Sequence, residues 1–458
     1  MNPWAEYTPT DAKPWDLKKA GHLFRRAAFG ATHSELQHAL KDGPKVTIDR
    51  LLKGGTPAAD FETTSDYMAS ERSLPAGSDN ARLASWWLWR ILNTAHPLQE
   101  KLCLFWHNHF ATSNAKVLNA RFMLVQYKLI AKHALGDFRE LLHGMTFDPA
   151  MLVWLDAKES KKGKPNENYA RELMELFSLG IGHYTEADIR EAARAFTGYD
   201  VAAGKMKFDP KQHDPSEKTV FGKKGSYKGD DIVRLCLDKP ACPTFIVTKL
   251  YRYFVSETVE PTADLIAPLA EQYRNSGFDT AKLVETILRS EHFFAASSYR
   301  QRVKPPVEFA GGIVRGLEGT TGPQPLAEEL DRLGQALFAP PSVKGWDGGP
   351  TWLNAQTLLF RQNLALALTS GDGLGRRCDP ATVLAKHGHT KDEAAVDFLL
   401  GVFHQNDVPA TAKEKLLAHL ADSAKVKYPS FWSADDTSKH RLRTLAHLVL
   451  TLPEYQLA

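Results

Sequence analysis

Apolar residues recur along most of this chain with helical spacing. In Trp15 to Ala28, Leu17, Ala20, Leu23, Phe24 and the Ala27–Ala28 pair share one side of a helix that Gly30 can stop. Thr32 opens the next helix, and Glu35 three residues on completes a capping box. Leu98 to Phe110 is apolar almost all round, which predicts a helix buried on several sides. Residues 55–78 are rich in Gly, Pro and Ser and predict an irregular connection. Residues 165–198 predict a helix pair: Asn166 caps the first, Gly180 and Gly182 end it, Thr185 with Asp188 opens the second, and Gly198 closes it.

The period changes over 199–228. Tyr199-Asp200-Val201, Lys205-Met206-Lys207-Phe208 and Thr219-Val220-Phe221 are short β-prone pieces parted by Gly, Pro and Asp. They predict a small hairpin or three-stranded flap on the helical body. Helices return from Asp230 and stop for a structured Gly/Pro-rich loop, Phe338 to Trp352. Residues 372–390 read as a weak linker, and an aromatic loop at 425–437 interrupts the last helical stretch. The expected fold is mainly α, a multi-helix orthogonal array with a β-hairpin flap around 199–228. Two units are expected: a main helical domain, 1–371, and a C-terminal helical region, 372–458, packed on it.

Bulk properties narrow the function. Fifty-seven Lys and Arg against 54 Asp and Glu give no strong basic bias, so no nucleic-acid partner is expected. No apolar run approaches the roughly 20 residues that span a bilayer. Met1 to Lys13 holds no apolar signal core, so no membrane association is expected and a cytoplasmic location is. Trimming of the start, or export by another route, would change that location. Cys103, Cys236, Cys242 and Cys378 lack zinc or redox spacing; only a Cys236–Cys242 disulfide stays open.

Four segments carry candidate chemistry. In Asn166-Glu167-Asn168-Tyr169-Ala170-Arg171-Glu172-Leu173-Met174-Glu175-Leu176-Phe177, an α-helix puts Tyr169, Ala170, Leu173, Met174, Leu176 and Phe177 on one face. The other face would pair Arg171 with Glu167 and Glu175, a solvated surface stitched by weak ion pairs. Glu172 borders the apolar face, where partial desolvation would raise its pKa and suit it to acid or base work. In Phe105-Trp106-His107-Asn108-His109-Phe110, the two histidines diverge by about 200° on a helix and cannot share one ion. One of them is expected in the core on a backbone carbonyl, the other facing a cleft. The third segment is His213-Asp214 in the flap, either a functional loop or a turn built by Asp214-Pro215. The fourth, Gly345-Trp346-Asp347-Gly348-Gly349-Pro350-Thr351-Trp352, is a stacking surface or a loop locked by Trp packing. Nucleophile-elbow, zinc-protease, phosphate-loop and dinucleotide patterns do not occur in the sequence.

Taken in order, these segments and His22-Leu23-Phe24-Arg25-Arg26-Ala27-Ala28-Phe29-Gly30 resemble the bacterial domain-of-unknown-function family numbered 1800, over roughly 15–455. The resemblance implies no named activity. It does imply a sulfatase-like partner protein encoded nearby, and export for many members. Members often carry His where this chain has Phe177, which weakens any metal site using that position.

Shared polar motifs favour a site over a surface. The leading expectation is a hydrolase of a polysaccharide or related polymer. Glu172 would be its acid or base, His213 and Asp214 a second titrating group, Asn168 and Arg171 would orient substrate, and Trp346 with Asp347 would contact it. The alternatives are a divalent-metal enzyme in a helical bundle, with Glu167, Glu172, His107 or His109, and His213 as the available ligands, and a non-enzymatic scaffold.

Overall fold

The computed structural model describes residues 2–430 and 432–458. Local capping sets the early helices. Asp16 accepts from the Lys19 backbone N–H at 2.9 Å and starts Leu17–Ala27. Thr32 and Glu35 cap each other reciprocally and start His33–Lys53, which kinks where Gly43 at φ 78° precedes Pro44. The expected all-round apolar segment is Pro97–His109, with Leu98, Leu102, Cys103 and Trp106 wholly buried.

A second central helix, Pro306–Gly316, is buried along almost its whole length. Its glycines permit close approach: a Cβ on Gly30 would lie 3.1 Å from the Gly312 Cα. Charge crosses this core. Lys101 Nζ lies 2.7 Å from Glu308 and also donates to the carbonyls of Arg25 and Ala28 at 3.1 and 2.9 Å. One ammonium thus caps the C-terminal end of Leu17–Ala27 and joins the two central helices. Apolar packing is continuous from Trp4 to Tyr455, so helices Asp392–His404 and Ala434–Thr451 share the same core.

The fold is mainly helical, with two small antiparallel sheets. Strand β1 (Tyr199–Ala202) pairs with β2 (Lys205–Phe208), and β3 (Lys218–Val220) with β4 (Lys223–Gly225). Each hairpin turns through two residues of positive φ, Ala203-Gly204 and Phe221-Gly222, the twist-matched two-residue turn. The flap is therefore two separate hairpins, not one three-stranded sheet.

Two stretches read as irregular contain helix. Phe61–Met68 forms because Phe61 stacks on Trp89 at 5.2 Å and Trp86 Nε1 donates to the Ser65 carbonyl at 3.1 Å. Pro380–Lys386 forms because Asp379 caps it and is itself gripped by Arg443 at 2.8 Å. Phe431, in the expected aromatic loop, lies outside the described residues; beside it Tyr428 and Trp432 stack at 5.6 Å. All four cysteines are buried free thiols. Among the described residues no helix is long and apolar enough to cross a membrane.

Replacing Lys101 by Met leaves the buried Glu308 with Arg302 as its remaining cationic partner and takes the shared donor from the Arg25 and Ala28 carbonyls. The variant should lose about 3–5 kcal/mol of unfolding free energy in a urea titration. A loss below about 1 kcal/mol would show that the pair does not hold the two helices.

Candidate functional site

The site begins at the C-terminal end of Pro97–His109, where two side chains reach in different directions. Asn108 grips the Trp loop by its backbone. Its Oδ1 accepts from the Trp346 N–H at 2.7 Å, and its Nδ2 donates to the Trp346 carbonyl at 3.3 Å. The approach requires Gly345, whose φ is +87° and whose Cβ, if present, would lie 2.2 Å from Asn108 Oδ1. Trp346 and Trp352 pack with Val303, and both rings are buried.

His109 faces the other segment. Leu173–Ser178 is a π-helical turn rather than a continuation of the α-helix Asn168–Glu172. The backbone N–H groups of Leu179 and Gly180 both donate to the Met174 carbonyl, which leaves the later carbonyls of this turn without helical partners. His109 Nε2 lies 3.0 Å from the Phe177 carbonyl, and Lys249 Nζ lies 3.1 Å from the Leu176 carbonyl. A carbonyl only accepts, so Nε2 carries the hydrogen. His109 Nδ1 is then an acceptor, and Lys249 Nζ donates to it at 3.1 Å. Burial, then the Lys249 charge, holds the His109 pKa far below its ordinary value. Burial, with help from Arg252, lowers that of Lys249 to about 8.

Between these segments lies an open cleft of about 740 Å³. Phe105, Phe245, Tyr253 and Trp346 give it aromatic walls, and Glu175 and Glu257 bring carboxylates. Glu175 accepts from the Tyr184 hydroxyl at 2.7 Å, and Glu257 from the Val303 N–H at 2.6 Å. Arg302, only 4% exposed, lies under Tyr253 at 4.7 Å and pairs with Glu308 at 3.3 Å and Glu257 at 3.8 Å. Of the ordered motifs, Asn108, His109, Glu175 and the Trp loop line this cleft.

The chain belongs to the family described as Protein of unknown function (DUF1800). The match covers residues 22–457. No curated protein and no solved structure matches the chain. In this DUF1800 chain position 177 contributes to the site through its backbone carbonyl, which Phe supplies as well as His would.

The residues singled out from sequence divide. His109, Trp346 and Asp347 wall the cleft; Asp347 pairs with Lys344 at 2.9 Å. Glu172 is half-buried, and desolvation, then the Glu175 charge, raises its pKa, but it is not part of the cleft wall. Arg171 pairs with Glu167 at 3.2 Å as expected, yet its other partner is Glu186 at 2.8 Å rather than Glu175. The π turn breaks the i,i+4 relation beyond Glu172. Asn168 is exposed. His213 is buried, its Nδ1 donating to the Thr197 carbonyl at 3.0 Å. Asp214 takes Arg194 Nε at 2.8 Å; partial burial opposes its ionisation, but Arg194 and Ser216 hold its carboxyl well below the usual range. Both His213 and Asp214 lock the loop after Glu186–Ala195, away from the cleft.

His107 sits in an aromatic box against Trp87, Phe338 and Trp346, and burial pushes its pKa down to about 3. The expected core histidine on a backbone carbonyl and the cleft-facing histidine are both His109. His107, His109 and Glu167 are not brought together, and among the described residues no three His, Cys, Asp or Glu side chains form a metal-holding group. Lys249, Arg302, Glu257 and Glu308 were not singled out from the sequence. The signal lay in Phe245, Lys249, Arg252 and Tyr253, an aromatic and cationic stripe at helical spacing.

Gly345→Ala should displace the Trp loop at a cost of about 1–3 kcal/mol, because a Cβ there meets Asn108 and the φ is left-handed. Denaturant unfolding with tryptophan fluorescence measures it. An unchanged midpoint would mean that the Asn108 clamp is not what fixes the loop.

Proposed function

We propose that the chain is a hydrolase of a polysaccharide or related polymer and that the cleft is its active site. The observation that carries this reading is the cleft itself: open, walled by aromatic rings, with carboxylates from two different elements. Aromatic faces beside polar groups suit sugar rings. Two carboxylates flanking a bond is the arrangement by which glycosidic bonds are hydrolysed. The roles expected for Glu172 pass to Glu175, three residues on, and the second carboxylate is Glu257. The Tyr184 hydroxyl orients Glu175, and Arg302 with the Val303 N–H orients Glu257. Trp346 is a largely buried part of the cleft wall, held in place by Asn108. Asp214 and His213 are supports for the flap loop in this reading.

A screen of polysaccharides with the purified chain tests the reading. On any substrate it cleaves, Glu175→Gln should lower kcat by about 10²–10⁴-fold, the range of a general acid or base. Glu172→Gln and His213→Ala, if they fold, should stay within about three-fold of the parent, since neither side chain reaches the cleft. Full activity in the Glu175 variant would remove this assignment.

A further inference from the structure

Four cations belong to the cleft wall, and three have carboxylate partners there. Arg252 pairs with Glu260, Lys344 with Asp347, and Arg302 with Glu257 and Glu308. Lys249 has none among the described residues. Its Nζ meets the Leu176 carbonyl and His109 Nδ1, each at 3.1 Å, and the face of Phe245 at 4.7 Å. Those two acceptors take two of the three N–H bonds of an ammonium and neutralise none of its charge. A partly desolvated cation without a counter-ion is unfavourable, and an anion arriving in the cleft relieves it. A second observation points the same way. The buried Arg302 guanidinium, which shares the cleft wall, leaves Nη1 without a hydrogen-bond partner.

We infer that the cleft takes an anionic polymer, and that Lys249 Nζ seats an oxyanion group carried on it, a carboxylate, sulfate or phosphate. This deepens the hydrolase reading by naming its substrate class and rests on the cleft being the substrate site. The remaining N–H of Lys249 supplies the hydrogen bond, and the ammonium charge strengthens it.

The test needs no substrate and no turnover. The full chain is treated with an amine-acylating ester at pH about 8, where burial places the Lys249 titration, and labelled peptides are quantified by mass spectrometry. Acetate, sulfate and phosphate are added in turn at constant ionic strength. The anion that fits should slow acylation of Lys249 by about ten-fold near saturation, and leave the exposed Lys223 unchanged. Which of the three protects tells which group the polymer carries. Lys249 rates in all three anions equal to the rate in chloride at the same ionic strength would overturn the inference. Protection in a chain that cleaves no polysaccharide would leave the anion seat standing and remove the hydrolase; cleavage of polymers without protection would do the reverse.

Discussion

Everything around the cleft hangs on a buried node of charge, Lys101, Glu308 and Arg302. Taking these ions out of water is costly, and only their mutual attraction and fixed acceptors offset it. The geometry supplies both. Lys101 reaches Glu308 at 2.7 Å and two terminal helix carbonyls, while Arg302 completes the second side of Glu308. Burial alone would raise the Glu308 pKa, but Arg302 and Lys101 together hold it below the usual carboxylate range. The node fixes the distance between Pro97–His109 and Pro306–Gly316. It thereby sets where Asn108 and His109, at the end of the first helix, meet the Trp loop and the π turn.

Much of this fold is legible in the sequence because it is decided locally. The Thr32–Glu35 and Thr185–Asp188 boxes start their helices where the residues say, and the β-prone pieces after Gly198 do pair as hairpins. What escapes is decided by distant partners. Phe61–Met68 needs Trp86 and Trp89, and Pro380–Lys386 is tied to Arg443. The three-stranded alternative for the flap fails for the opposite reason: each two-residue turn closes its own hairpin, and the two hairpins stay separate.

The candidate site was legible in part, and the misplacement of its carboxylate has one cause. Periodicity assumes a constant angle per residue, and the helix after Asn166 does not keep one. Up to Glu172 the α period holds, and Arg171 pairs with Glu167. From Leu173 the turn widens, so faces drawn for an α-helix no longer apply and the carboxylate on the cleft is Glu175. No single residue announces a π turn. The Trp loop and His109 were found because their composition is unusual. Lys249 was passed over because one lysine on a helix ordinarily reads as solvated.

The widened turn also explains why a lysine can sit there. An α-helical end leaves its last carbonyls to water or to a cap. Here the carbonyls of Leu176 and Phe177 turn toward buried side chains. The Phe177 carbonyl fixes the tautomer of His109, and that tautomer makes Nδ1 an acceptor for Lys249. The negative end of the helix dipole favours the ammonium further. A neutral imidazole, two carbonyl-directed hydrogen bonds and one free N–H therefore follow from a single extra residue in the turn. The Lys249 ammonium they leave on the wall has no carboxylate partner among the described residues, and its place is set by the backbone of Leu173–Ser178 as much as by Lys249 itself.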